Sequence, residues 1–210
     1  VKIGPLLNST SPLTDINKPL EQYSDYKSMD ETIGDRVELT FVPMRNALFL
    51  TLAANRAVCD GISHIVTGVC QADNANYPDC RASFIAAQQH AIQEALGLEA
   101  RFQVYAPLMH LSKAESIHLM KGLGGFAALA YTHTAYDGMY PPVGHDHASV
   151  LRAHGFEEAG LPDPLVVRAM MEGRMTLPMT TNYDDLTAVA DLQRDIRNLT
   201  IPMNTIQRGE

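Results

Sequence analysis

From Val37 onward the chain alternates short apolar runs with helical stripes. Phe41-Val-Pro leads into Arg45–Ala57, a nearly continuous apolar stretch that predicts a helix buried on most sides. Ile62–Thr67 is a short run, rich in β-branched residues, that ends at Gly68, the pattern of a strand inside a parallel sheet. After a polar loop, Gln71–Arg81, apolar residues from Phe84 to Leu96 recur at helical spacing, and Gly97 stops them. Phe102–Ala106 reads as a second strand closed by Pro107. Ser112-Lys-Ala-Glu115 is a capping box that opens a helix, with Gly122 as its stop. Ala127–Thr132 is a third strand candidate.

The last third reads as helical. Ser149–Ala159 is one helix, Asp163-Pro164 is an N-cap with proline at the first helical position, and Gly173 closes that helix. Leu186, Val189, Leu192, Ile196 and Leu199 form a final amphipathic stripe. Residues 1–36 are punctuated by Pro, Asn, Ser and Asp. They predict an irregular segment or lid, with one short strand at Val1–Leu7. Strands alternating with helices imply an α/β domain with a parallel sheet over 37–165, followed by a helical extension over 166–210. Ligands in such sheets sit beyond the carboxyl ends of strands, which points at Gly68–Arg81, Pro107–Lys113 and His133–Gly138.

Composition narrows the function classes. The 210 residues are 46% hydrophobic and 19% charged, enough for a packed core. Lys plus Arg total 16 against 24 for Asp plus Glu, so the basic face that phosphate neutralisation requires is not expected, and neither is direct nucleic-acid binding. No apolar run reaches the roughly 18 residues of a membrane span. Val1-Lys-Ile-Gly-Pro lacks the apolar region of a secretory leader. With an odd count of cysteines (Cys59, Cys70 and Cys80), reduced thiols in a cytoplasmic setting are expected.

The densest chemistry lies in the strand-to-helix loop Gly68–Arg81, which holds Asp73, Tyr77, Asp79, two thiols and Arg81. A carboxylate accepts paired N–H donors from a guanine-like ring, a tyrosine stacks on it, and an arginine near a helix N-terminus suits an anion. Turn chemistry around Tyr77-Pro-Asp is the competing reading of the same residues.

Ile65-Val-Thr-Gly-Val-Cys-Gln-Ala-Asp73, then Tyr77-Pro-Asp-Cys-Arg81, resembles the 7-cyano-7-deazaguanine synthase family. Three further segments match it in order: Phe41-Val-Pro-Met-Arg-Asn-Ala-Leu-Phe-Leu50, Pro107-Leu-Met-His-Leu-Ser-Lys-Ala-Glu115, and Leu151-Arg-Ala-His-Gly-Phe156 with Ala159-Gly-Leu-Pro-Asp-Pro164. Ser11-Pro-Leu-Thr14 is similar to its "SALT" segment. The resemblance covers about residues 1–165 and leaves 166–210 without a counterpart.

The resemblance implies an ATP pyrophosphatase type of fold (adenine nucleotide alpha hydrolase-like), a parallel sheet with helices on both faces. It also implies an ATP-dependent ligase, with magnesium, that converts 7-carboxy-7-deazaguanine to the nitrile for queuosine or DNA modification. Arg45 and Lys113 would then face ATP phosphates, while Asp73, Tyr77, Asp79 and Arg81 would line the deazapurine side. The family also implies homo-oligomers.

Two departures qualify these expectations. No Ser-Gly-Gly-x-Asp-Ser phosphate loop is present, and Gly124-Gly125 does not follow a strand. An exposed parallel-strand edge beside Ile62–Thr67 is a liability, so either an N-terminal companion polypeptide supplies the missing nucleotide loop and strand, or the chain covers the edge with residues 1–36 or its tail. The family's zinc thiolates correspond to Ala135, Val143, Asp146 and Ser149, so loss of zinc is expected. His133, His145 and His147, with His154 and Asp146 nearby, are weak candidates for a substitute metal site, against a reading as solvent-facing loop histidines. The alternative to an enzyme is an inactive derivative reused as a structural or binding subunit, for example in a virion or defence complex. A 7-deazaguanine sensor without chemistry is a further reading.

Overall fold

The computed structural model describes residues 7, 9–15, 17–70, 76–97 and 101–199. Within them, α2 (Arg45–Cys59) runs into β1 (His64–Val66), and α3 (Ala82–Leu96) crosses to β2 (Gln103–Tyr105). The two strands pair in parallel, with Ile65 opposite Val104. Backbone bonds from Gln103 to Ser63 and from Thr67 to Tyr105 extend the ladder at both ends. The β-branched run expected to be a parallel strand is therefore one, and Pro107 follows its partner as expected. The strand expected at Val1–Leu7 lies outside the described residues apart from Leu7.

Alternation decides what the sheet buries. Ile65 and Val104 face α2 and α3 and join Leu50, Ala54, Ile85, Ile92, Phe102 and Met109 in one core. The opposite face carries His64, Val66 and Tyr105, with Val66 65% exposed. Helices were expected on both faces; among the described residues they cover one. The same imbalance corrects the reading of α2. Its inner stripe (Ala47, Leu50, Ala54, Ala57) is buried, but Phe49, Leu52 and Val58 remain exposed, because α3 and β1 meet only one side.

Two segments fold otherwise than the pattern predicts. The turn-rich pattern of residues 1–36 predicts an irregular segment, yet Tyr26–Ile33 forms α1. Asp25 caps it by accepting from the Ser28 N–H at 2.8 Å, and Gly34 ends it. Met29 and Ile33, one turn apart, bury with Tyr23 against Val150 and Leu151, so this segment is docked on the helix that carries them. Ala127–Thr132 was read as a strand, but Phe126–Tyr131 is a 3₁₀ turn. The stretch has no β-branched residue before Thr132, and its carbonyls are taken by guanidinium groups, not by a ladder. Ala130 is fully buried against the last two helices.

The remaining helices are α4 (Lys113–Gly122), α5 (His147–Glu158), α6 (Pro164–Met171) and α7 (Leu186–Asn198). The capping box at Ser112 and Glu115, and the Asp163 cap before Pro164, form as the sequence indicates. No helix among the described residues is long and apolar enough to cross a membrane.

One buried ion pair joins these parts. Arg152 of α5 donates to both carboxylate oxygens of Asp163 at 2.6 and 2.8 Å. Its other N–H groups reach the Thr132 hydroxyl at 3.0 Å, the Thr132 carbonyl at 3.5 Å and the Leu129 carbonyl at 3.3 Å. All five guanidinium donors are thereby placed. Asp163 also accepts from the Leu165 N–H at 2.8 Å, capping α6, and its own N–H donates to the Tyr183 hydroxyl at 3.3 Å.

Removing one partner of such a pair strands the other charge in the interior. Asp163→Ala is expected to cost about 3–5 kcal/mol in urea unfolding. Met44, before α2, sits in the left-handed region at φ 65° and makes no side-chain cap. Relief of that backbone conformation predicts that Met44→Gly stabilises the chain by about 0.5–1 kcal/mol, read as a raised urea midpoint.

Candidate functional site

The three loops that the strand-end rule singles out converge on one cavity of about 440 Å³. Tyr77 comes from the first loop, Leu108 and Lys113 from the second, and Thr134 and Tyr136 from the third. Ile117, Met120, Leu151 and Phe156 from α4 and α5 supply an apolar wall. The third loop arrives there although no strand precedes it; the 3₁₀ turn delivers it instead. The first two loops are stitched together where the Cys70 thiol donates to the Leu111 carbonyl at 2.9 Å.

Tyr77 is set by a buried polar cluster. Its hydroxyl donates to Glu38 at 3.2 Å, shares a short hydrogen bond with the Thr40 hydroxyl, and lies 3.5 Å from the Tyr136 hydroxyl. Glu38 is 2% exposed and also accepts from the Thr40 N–H at 2.6 Å. Burial, with the Tyr136 hydroxyl next, pushes the Tyr77 phenol far above its ordinary value, so it stays a neutral donor. The Phe41 ring packs 5.5 Å from the Tyr77 ring. Asn76 pins the loop by donating to the Gly34 and Arg36 carbonyls at 2.9 and 3.0 Å.

Lys113 is the first residue of α4 and lines the same cavity. Its stem runs along α5 at Gly155, where an added Cβ would come within 2.5 Å of the Lys113 Cγ. Glycine there lets α4 and α5 approach and leaves room for the lysine stem beside the cavity.

The other expected site residues lie elsewhere. Asp79 is 6% exposed and turns toward the start of α2. It accepts from the Asn46 N–H at 3.2 Å, while the Asn46 side-chain amide returns a bond to the Asp79 carbonyl at 3.1 Å. Met44 offers α2 no cap, so Asp79 supplies the acceptor from a distant loop. Arg45, half-buried on the first turn of α2, makes no ion pair with the described residues. Arg81 is exposed and precedes α3 as its N-cap residue. None of Arg45, Asp79 and Arg81 lines the cavity. Asp73 lies outside the described residues.

The candidate metal histidines do not gather. His133 Nε2 contacts the Met139 carbonyl at 2.8 Å, His145 is exposed, and His147 is buried at the start of α5, where it lines the cavity. His154 stacks on Tyr26 with ring centroids 3.6 Å apart. Among the described residues no group of three or more His, Cys, Asp or Glu side chains is arranged to hold a metal ion. The three cysteines form no disulfide.

Sequence reading missed Glu38, Thr40, Tyr136 and Thr134. A buried acid two residues before a threonine carries no periodic signal. Tyr136 lay within a loop already marked by the strand-end rule and was an available aromatic there.

A family model described as queuosine biosynthesis protein QueC matches residues 7–160. The 7-cyano-7-deazaguanine synthase of Chromobacterium violaceum is 48% identical over 140 residues, which is 67% of this chain and 59% of that protein. The synthase of Gloeobacter violaceus is 46% identical over 169 residues, 79% of this chain and 70% of its own. That of Laribacter hongkongensis is 53% identical over 129 residues, 61% of this chain and 56% of its own. The matches thus span little more than half to about two thirds of these relatives' lengths.

If Asp79 serves α2 as a cap, Asp79→Ala lowers stability by about 1 kcal/mol in urea unfolding, whereas Asp79→Asn, which keeps an acceptor, stays within about 0.5 kcal/mol of the parent.

Proposed function

The chain belongs to the QueC family of queuosine biosynthesis proteins, and on that premise we propose that its cavity takes the base of a 7-deazaguanine. The observation that carries this reading is the convergence of Tyr77, Lys113 and Tyr136 from three separate loops on one largely apolar space. A planar heterocycle fits between apolar walls and a phenol face, and the Lys113 cation in the lining suits a carboxylate on its rim.

The substrate proposed is 7-carboxy-7-deazaguanine. One ATP transfers AMP to the carboxylate and releases pyrophosphate, and ammonia displaces the AMP to give the amide. A second ATP transfers AMP to the amide oxygen, again releasing pyrophosphate, and departure of that oxygen within AMP, with both amide protons lost, leaves the nitrile. In this scheme Lys113 holds the carboxylate, and its charge offsets the negative charge that grows on the oxygens during adenylation. Tyr77 orients the base, with its hydroxyl fixed by Glu38 and Thr40. Asp79 contributes by anchoring the loop that carries Tyr77, and Arg45 remains a candidate for an ATP phosphate. Magnesium would accompany ATP as its counter-ion; the described residues offer it no ligand set of their own.

Phosphate-binding N–H groups are proposed to come from a companion segment. The edge of β1 that no described strand pairs, the face with Val66 and Tyr105, and the outward residues Phe49 and Leu52 of α2 form a surface suited to a strand and a helix. A second copy of the chain is the competing occupant.

Calorimetry tests the reading. Both 7-carboxy-7-deazaguanine and its nitrile are expected to bind, and Tyr77→Ala is expected to weaken both about tenfold or more. Lys113→Ala is expected to weaken the carboxylate about tenfold while sparing the nitrile. Absence of heat from either base with the parent chain would remove the proposal. Binding without turnover, even when a segment bearing a Ser-Gly-Gly-x-Asp-Ser loop is added, would favour an inactive derivative reused as a binding subunit.

A further inference from the structure

We infer that the corner formed by residues 132–149 is closed by the chain's own C-terminal helices and not by a metal ion. This inference is independent of which ligand the cavity takes. The positions that resemble zinc thiolates are Ala135, Val143, Asp146 and Ser149, of which the first two carry no donor atom and Val143 is 60% exposed. Asp146 is the one strong donor among them, and its oxygens are already engaged. It accepts from the Ala148 and Ser149 N–H groups at 3.0 and 3.2 Å and from the Ser149 hydroxyl at 2.8 Å, capping α5. The donor set does not fit a tetrahedral metal.

What holds the corner lies past residue 160, where the family match ends. The Tyr140 ring is flanked by the Arg168 and Arg174 guanidinium groups at 5.0 and 5.2 Å. Its hydroxyl donates to Glu172 at 2.9 Å, and Glu172 accepts from Arg168 and Arg174 at 2.8 and 3.1 Å. Arg168 also covers the Tyr131 ring at 4.6 Å and donates to the Ala130 carbonyl at 3.1 Å. One arginine of α6 therefore grips both ends of the stretch that leads from the 3₁₀ turn to Tyr140. Behind the clamp, Pro142 and Ser149 share a cavity of about 130 Å³ with Met175, Thr180 and Tyr183. The corner faces the C-terminal segment where a thiolate cluster would otherwise draw its own loop together. Because the same stretch carries Thr134 and Tyr136, the clamp positions one wall of the larger cavity.

The test uses the full chain. Purified protein is expected to contain well under one zinc per chain by elemental analysis, and its melting temperature is expected not to move after dialysis against a strong zinc chelator. Tyr140→Ala is expected to lower that temperature by roughly 4 °C or more and to speed proteolytic cleavage within 133–146 at least tenfold. Should that variant fail to fold, Tyr140→Phe, which keeps the ring between the arginines and loses only the bond to Glu172, is expected to melt about 2 °C below the parent. One zinc per chain, or a melting temperature that falls on chelation, would overturn the inference. So would a Tyr140→Ala variant that melts and resists protease like the parent.

Discussion

The pair between Arg152 and Asp163 is the contact on which the arrangement of the C-terminal half rests. Two charges taken from water need each other and need every remaining donor and acceptor placed. Here they are: both Asp163 oxygens receive the guanidinium, and the rest of its donors reach Thr132 and Leu129. The consequence is geometric. The end of the 3₁₀ turn, the body of α5 and the start of α6 are fixed to a single planar group, which sets where the loop leaving Thr132 begins and its direction. That direction brings Thr134 and Tyr136 to the cavity. Both partners lie in segments that carry the family resemblance, Leu151–Phe156 and Ala159–Pro164. Arg152 also lines the cavity, so the pair that fixes this half of the fold borders the candidate site directly.

A second set of constraints fixes the other side of the cavity. Asp79, which chemistry alone suggests as a base-binding carboxylate, completes the helix that Met44 leaves uncapped. By doing so it holds the 3₁₀ turn Pro78–Cys80 against α2, and Tyr77 immediately before it is brought to Glu38 and Thr40. Asp79 thus shapes the site without lining it. The place of Lys113 likewise depends on Gly155, one helix away, having no side chain.

Much of this was legible in the residues, for identifiable reasons. Helix caps are local, so Ser112 with Glu115 and Asp163 with Pro164 marked true helix starts. The run at Ile62–Thr67 marked a parallel strand through its β-branched content, although within β1 only Ile65 turns to the core. Motif resemblance carried the family, and the strand-end rule carried the loops that meet. What failed was information held outside the segment concerned. Ala127–Thr132 has the apolar content of a strand, but its carbonyls answer to Arg152 and Arg168, far along the chain. The docked helix α1 was masked by turn residues that serve as its caps. Exposure of Phe49 and Leu52 was invisible because composition records that a side chain is apolar, not whether a neighbour covers it.

If the buried pair holds α5, α6, α7 and the 3₁₀ turn as one cooperative unit, native-state hydrogen exchange reads it out. Amides of Phe126–Tyr131, α5 and the last two helices are predicted to share a single opening free energy equal to that of global unfolding. Exchange of α6 and α7 through a separate, lower-energy opening, with α5 still protected, would contradict the account.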